Sequence, residues 1–250
     1  MSTVYVVGLV LMIAGFIGII FCSKKQRVNP AMQSVAFVFA AVMLVGLGIV
    51  LYDKLGDGES RAAIENERLF TVSQYSAAGN FLKKNFAGKK VMLLLAPKWD
   101  AEESQKSYVE SQIAALNEAL GSQVVIATVE LPANFDEEGS SVEDVLSVKM
   151  IKDVLAKNPG IDIIVSTIGL PEKCDALFSG KDAPQVFLMS QGMLDDKSIK
   201  KFFKNGKIIG LIDHKTGINY DTPANEDDLM ASFNIRYSII DGKNYTQKYK

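Results

Sequence analysis

Three short stretches carry residue types that could do chemistry. Ser190-Gln191-Gly192 has the serine and trailing glycine of a nucleophile elbow, Gly-x-Ser-x-Gly, but Leu188 stands where the first glycine belongs. Asp213-His214-Lys215 places the chain's one histidine directly after an aspartate. Neighbouring residues of a strand point to opposite faces, so Asp213 is badly placed to orient His214. No later histidine can complete a Ser…Asp…His order either. Hydrolase chemistry is therefore disfavoured, and no catalytic residue is assigned. Trp99 with Asp100 offers a rigid apolar face beside a hydrogen-bond acceptor, which suits a sugar or another flat ligand. A loop tryptophan can equally cover the end of a sheet. Trp99, Asp100, Ser190, Gln191, Asp213, His214 and Lys215 are the candidate ligand-binding residues.

Other chemistries lack their residues. One histidine and two cysteines, Cys22 and Cys174, do not make a zinc site. Cys174 reads as a small packed residue. Asp136, Glu137 and Glu138 lack the spacing of a calcium loop and read as a solvated turn. Gly88-Lys89-Lys90 has neither the upstream glycine nor the Ser/Thr of a phosphate-binding loop, and no strand is followed by Gly-x-Gly-x-x-Gly. No cofactor or metal is expected. Of 27 cations only Lys24, Lys25 and Arg27 fall in the first 52 residues, and none of the 29 acids does, so the rest of the chain is net acidic. That balance argues against a nucleic-acid partner.

The elements that must position these residues follow from periodicity. Leu69, Val72, Tyr75, Gly79, Leu82 and Phe86 recur at steps of three and four, predicting a helix from Arg61 to Phe86. Val91–Ala96 is a continuous apolar run, as buried parallel strands are. Further strands are expected at 124–130, 161–168, 185–190, 208–212 and 237–240. Helices are expected between them: one ending near Gly121, one opened by a Ser140/Glu143 capping box and running through Val154, a short one near Pro171, one capped by Asp195 or Asp196, and one starting at Thr222-Pro223. This alternation predicts a mostly parallel, doubly wound α/β domain. In its order of elements it resembles one lobe of a periplasmic sugar-binding protein, or a flavodoxin-like domain. In such sheets ligands bind beyond the carboxyl ends of the strands, where all the candidate ligand residues fall.

Ahead of this domain stand two apolar runs, Val4–Cys22 and Ala31–Tyr52, of 19 and 22 residues. Each can cross a hydrocarbon core about 30 Å thick as a helix. The polar segment 23–30 between them carries Lys24, Lys25 and Arg27. A leading Met-Ser-Thr without a cation, followed by so long a run, favours a retained helix over a cleaved signal peptide. The positive-inside rule puts the basic loop in the cytoplasm and both flanks outside, although Lys54, Arg61 and Arg68 dilute the asymmetry. Ala14 with Gly18, and Ala36 with Ala40, are spaced for close helix packing in lipid. Neither run contains an ionisable side chain of the kind that marks an ion pathway, so the hairpin reads as an anchor.

The expected organisation is a transmembrane hairpin over 1–52, an exposed linker over 53–60 and a soluble α/β domain over 61–250. The first functional reading is a membrane-anchored, non-enzymatic, extracytoplasmic domain acting as an envelope or assembly subunit, with the lipid bilayer and other membrane or envelope proteins as partners. The second is a tethered small-ligand binding or sensory module, and the third an enzyme with an unrecognised site. The sequon at Asn244 matters only in a secretory pathway.

Overall fold

The computed structural model describes residues 3–25, 32–55, 58–97, 103–132, 135, 141–180 and 182–249. It divides into two compact units, Met1–Asn66 and Glu67–Lys250.

The first unit is built on α1 (Thr3–Lys25) and α2 (Met32–Leu55). Both contain segments long and apolar enough to cross a membrane, Val4–Lys25 and Met32–Leu51. Gly8 faces Gly46 and Val50, Gly15 faces Met43, and Gly18 faces Phe39, so the two helices are antiparallel. In α1 the buried positions are Gly8, Gly15, Gly18 and Cys22. Their steps of three, four and seven residues are the heptad spacing of a left-handed helix pair. Gly18 is buried in this seam, and Ala36 and Ala40 are half-buried. Ala14 is exposed, which corrects its expected role. A residue next to a heptad position is turned about 100° from the seam, so Gly15 takes the contact instead. A Cβ on Gly15 would come within 2.8 Å of the Met43 nitrogen and the Phe39 oxygen, so only a glycine lets the backbones approach this closely.

α1 continues past Cys22, so Lys24 and Lys25 form its exposed last turn; Arg27 lies outside the described residues. The segment expected as a linker is helical at 53–55, in α2, and at 58–60, in α3 (Gly58–Asn85).

The division between units falls within α3. The second unit holds a six-stranded sheet of β1 (Val91–Leu95), β2 (Val125–Thr128), β3 (Ile163–Ser166), β4 (Gln185–Leu188), β5 (Ile208–His214) and β6 (Tyr237–Asp241). The strand order is β2-β1-β3-β4-β5-β6, parallel except for the antiparallel β5–β6 pair. The fold is thus a mostly parallel α/β sheet. β1 and β3 are buried along their whole length because helices cover both faces. Val91, Leu93 and Leu95 pack in one core cluster with Phe70 and Leu82 of α3, Leu116 of α4 (Glu103–Leu120) and Phe233 of α8 (Leu229–Arg236). Met92 and Leu94 point the other way. They pack with Leu146, just after α5 (Val142–Val145), Ile151 of α6 (Val148–Lys157) and Phe202 of α7 (Asp196–Lys204). A short α9 (Tyr245–Lys248) closes this second layer, with the Tyr245 ring stacked on Phe203 at 5.5 Å. Each fully buried leucine or phenylalanine contributes roughly 1.5–3 kcal/mol.

Three local expectations need correcting. The helix expected from Ser140/Glu143 is two helices, with the capping box at Ser141/Asp144. Leu146 turns extended and Ser147 accepts from the Met150 N–H, which starts α6 afresh. The short helix near Pro171 is a single 3-10 turn at Asp175–Phe178. Thr222-Pro223 does not open α8. The carboxylate of Asp228 accepts from Ala231 N at 2.9 Å and sets the start six residues later, at Leu229. β6 follows α8 directly, with Tyr237 opposite His214, and so enters the sheet in reverse.

Candidate functional site

The carboxyl ends of the parallel strands share one edge, in the order Thr128, Leu95, Ser166, Leu188, His214. Chain progress reverses between β1 and β3, because β1 leads outward to β2 while β3 leads the other way to β4 and β5. That gap is the topological switch point, where α/β sheets place their ligands. The loop after β1 leaves from it. Pro97 is its last described residue, and Lys98, Trp99 and Asp100 lie outside the described residues. So do Asn134 and the acids Asp136–Glu138 after β2. Thr167, at the end of β3, donates through both its N–H and its hydroxyl to the Leu94 carbonyl of β1, at 3.1 and 3.0 Å.

Between β3 and β4 the edge is closed by backbone. Gly169 and Gly192 both have positive φ, 66° and 63°. A Cβ on Gly169 would lie 2.3 Å from the Gly192 Cα, a contact that only two glycines allow. Leu170 bridges to Gly192, and the buried Ser166 hydroxyl donates to the Gly169 carbonyl at 2.6 Å. Ser190 accepts from the Gly192 N–H at 3.3 Å, and the Gln191 amide donates to the Leu194 carbonyl at 2.6 Å. Both side chains thus hold their own turn.

Asp213, His214 and Lys215 end β5, two strands beyond β3. At roughly 4.8 Å per strand they lie about 14 Å along the sheet from the end of β1. Asp213 pairs with Lys248 of α9. The His214 ring meets Tyr237 of β6 edge-on at 4.8 Å. The Lys215 ammonium donates to the Asn234 carbonyl, and its N–H to the Arg236 carbonyl at 2.9 Å. These three side chains brace β5 against α8, β6 and α9. No hydrogen bond joins Ser190 to His214, so the structure does not assemble the elbow's partners. Beside them, the buried Tyr249 hydroxyl has no hydrogen-bond partner among the described residues. Burial, with Asp213 and Asp196 adding to it, pushes this phenol up to about 12.

Among the described residues, hollows flank the edge strand. One, of about 330 Å³, lies between Glu130–Pro132 and α6, floored by Leu131, Met150 and Val154 and rimmed by the ion pairs Lys149–Asp153 and Lys157–Glu130. Another, an open groove of about 770 Å³, runs between β2 and α4. Among the described residues no group of three or more His, Cys, Asp or Glu could hold a metal ion.

Sequence reasoning missed Arg236. It is fully buried, its guanidinium 3.5 Å from the Phe70 ring centroid, and it donates to Glu67 and to the Tyr220 carbonyl. No local pattern announces it, since its acidic partner is 169 residues away. Cys174 is buried, and its thiol is pushed up to about 11 by burial and then by the Asp175 charge.

No protein-family model and no curated protein sequence matches the chain. Solved structures do resemble it. A carbohydrate transporter from Acidothermus cellulolyticus in complex with myo-inositol is 13% identical, with a TM-score of 0.44, over 71% of this chain and 59% of that one. A solute-binding protein from Burkholderia graminis in complex with D-arabinose is 10% identical, with a TM-score of 0.42, over 72% and 62%. A XylFII–LytSN complex mutant is 13% identical, with a TM-score of 0.40, over 70% and 68%. The chain thus spans less than two thirds of the first two proteins' lengths, and the likeness is one of fold alone.

Proposed function

We propose that this protein is a two-pass, membrane-anchored, non-enzymatic α/β subunit of an envelope assembly, with its sheet unit outside the cytoplasm. The distribution of exposed apolar side chains carries this reading. All the described large hydrophobics that are exposed lie on α1 and α2 except Ile64, Ile126, Met193 and Tyr220. Among the described residues the large apolar side chains of their outward faces, from Val4 to Phe21 and from Val35 to Leu51, stay exposed, and a hydrocarbon solvent satisfies them. Lys24 and Lys25 sit together at one end of α1, the basic end that the positive-inside rule keeps in the cytoplasm. At the strand ends, Asp213, His214, Lys215 and Gln191 are engaged within the fold, which suits a structural role better than a catalytic one.

Cysteine labelling tests the placement. With an impermeant maleimide, Ala87→Cys is expected to react in intact cells and Ser23→Cys only after lysis; the reverse pattern overturns the orientation. Cross-linking in native membranes, followed by detergent purification, is expected to give discrete protein partners.

A second reading is a tethered small-ligand module that uses Trp99, Asp100, Ser190, Gln191, Asp213, His214 and Lys215. The switch point between β1 and β3 favours it, because the Trp99 loop departs there. A thermal-shift screen of the full chain in detergent against sugars, amino acids and nucleotides decides between them. A hit lost in Trp99→Ala would replace the assembly reading.

A further inference from the structure

β2 ends the sheet on its side, and among the described residues β1 is its one strand partner. Its outer edge therefore offers unpaired N–H and C=O groups. Proteins blunt such edges by keeping the strand short or with lysine, proline or a bulge; Val125-Ile-Ala-Thr128 is short, at four residues, but carries none of the other three. Ile126 is 44% exposed, the only exposed large apolar side chain on a described strand. It opens onto the groove beside α4, whose wall holds Ile113 and Ala114 and whose rim holds Glu110 and Glu118, both exposed. Lys83 stands nearby. The Lys83 ammonium is 3.4 Å from where a Cβ on Gly121 would sit, and it faces the carbonyl end of α4, whose partial negative charge it matches. Among the described residues no lysine or arginine lines the groove to answer Glu110 and Glu118.

We propose that the β2 edge and the α4 groove dock an extended segment of a partner protein. That segment would add a strand to β2, set apolar side chains against Ile126 and Ala114, and reach Glu110 and Glu118 with lysine or arginine. Backbone pairing supplies the affinity, and the acidic rim selects the charge. A second copy of this chain fits less well, because a two-fold β2–β2 pairing would bring the same uncompensated carboxylates to one edge.

This proposal rests on the assembly reading and names a surface for it. The two fail separately. An edge that binds nothing leaves assembly through another face, whereas membranes that yield no partner sink the assembly reading without touching peptide binding. The test uses the full chain in lipid nanodiscs and two synthetic extended peptides. One is built of valine, threonine and lysine, and the other has every lysine replaced by glutamate. The lysine peptide is expected to bind at least tenfold more tightly by fluorescence polarisation, and to slow amide exchange at 125–128. Glu110→Lys with Glu118→Lys should invert the preference, and Ile126→Lys should abolish binding, with melting temperatures unchanged at these exposed positions. Equal affinity for both peptides, no binding, or binding indifferent to these substitutions would overturn the proposal. A nanodisc dimer dissolved by Ile126→Lys would overturn it in favour of a second copy.

Discussion

Nη1 of Arg236 donates to both carboxylate oxygens of Glu67, each at 2.7 Å, and so fastens the end of α8 to α3. The guanidinium lies over Phe70, and its Nη2 donates to the Tyr220 carbonyl at 2.9 Å. A cation without solvent survives here because a carboxylate, a carbonyl and an aromatic face replace water. Glu67→Gln is expected to lower stability by on the order of 1 kcal/mol, since the Glu67 side chain is 60% exposed and screened. Arg236→Lys should cost more, because an ammonium can neither stack flat on Phe70 nor span both partners. Thermal melts of the two variants check the order, and an equal or reversed order would refute it.

The hairpin seam predicts an asymmetry between two glycines. Gly15 has backbone of α2 within 2.8 Å of a Cβ position, whereas Gly48 has nothing within 4 Å. Gly15→Leu should separate the helices and cost roughly 1–3 kcal/mol, while Gly48→Leu should be silent. Disulfide trapping between cysteines at Leu11 and Met43 in membranes reads this. Efficient trapping in Gly15→Leu would show that the seam is elsewhere.

Asp162 predicts an acid limit. Its carboxylate accepts from the Lys90 N–H at 2.8 Å and from the Lys89 ammonium at 3.1 Å, and these bonds hold its pKa below the ordinary aspartate value. A pKa lowered in the fold contributes stability that is present above the unfolded value, about 3.9, and lost as pH falls through the lower folded value. Asp162→Asn should therefore be less stable than the parent at neutral pH, with the gap closing in acid. Urea melts at pH 7 and pH 3 measure this, and a gap undiminished at pH 3 would rule out the carboxylate as its source.

Cys174 predicts a masked thiol. It is fully buried, with its pKa raised to about 11, so at pH 8 it is almost wholly the unreactive neutral form. Ellman's reagent should reach it only as fast as the fold opens, and urea should expose it. Rapid labelling of the native protein in a Cys22→Ser background would show that the site is open.

Local pattern was sufficient for much of this molecule. Val91–Ala96 announces a doubly covered strand because a continuous apolar run of that length, set between Lys89-Lys90 and Pro97, suits a strand with both faces buried, and the structure buries Val91–Leu95 throughout. Val4–Cys22 and Ala31–Tyr52 announce helices long enough for a bilayer because length and hydropathy are additive along a chain. What only the tertiary structure decided depends on residues far apart in sequence. The strand order, which sets the switch point between β1 and β3, follows from which helix crosses which face. Gly15 rather than Ala14 meets the second helix, because the seam follows the packing angle of two helices and not the spacing within one. Asp213 and Lys215 are held by Lys248 and Asn234, and Arg236 is buried against Glu67, through contacts that exist only once the chain has closed on itself. Periodicity records what a segment must bury, and the partner that buries it is settled in three dimensions.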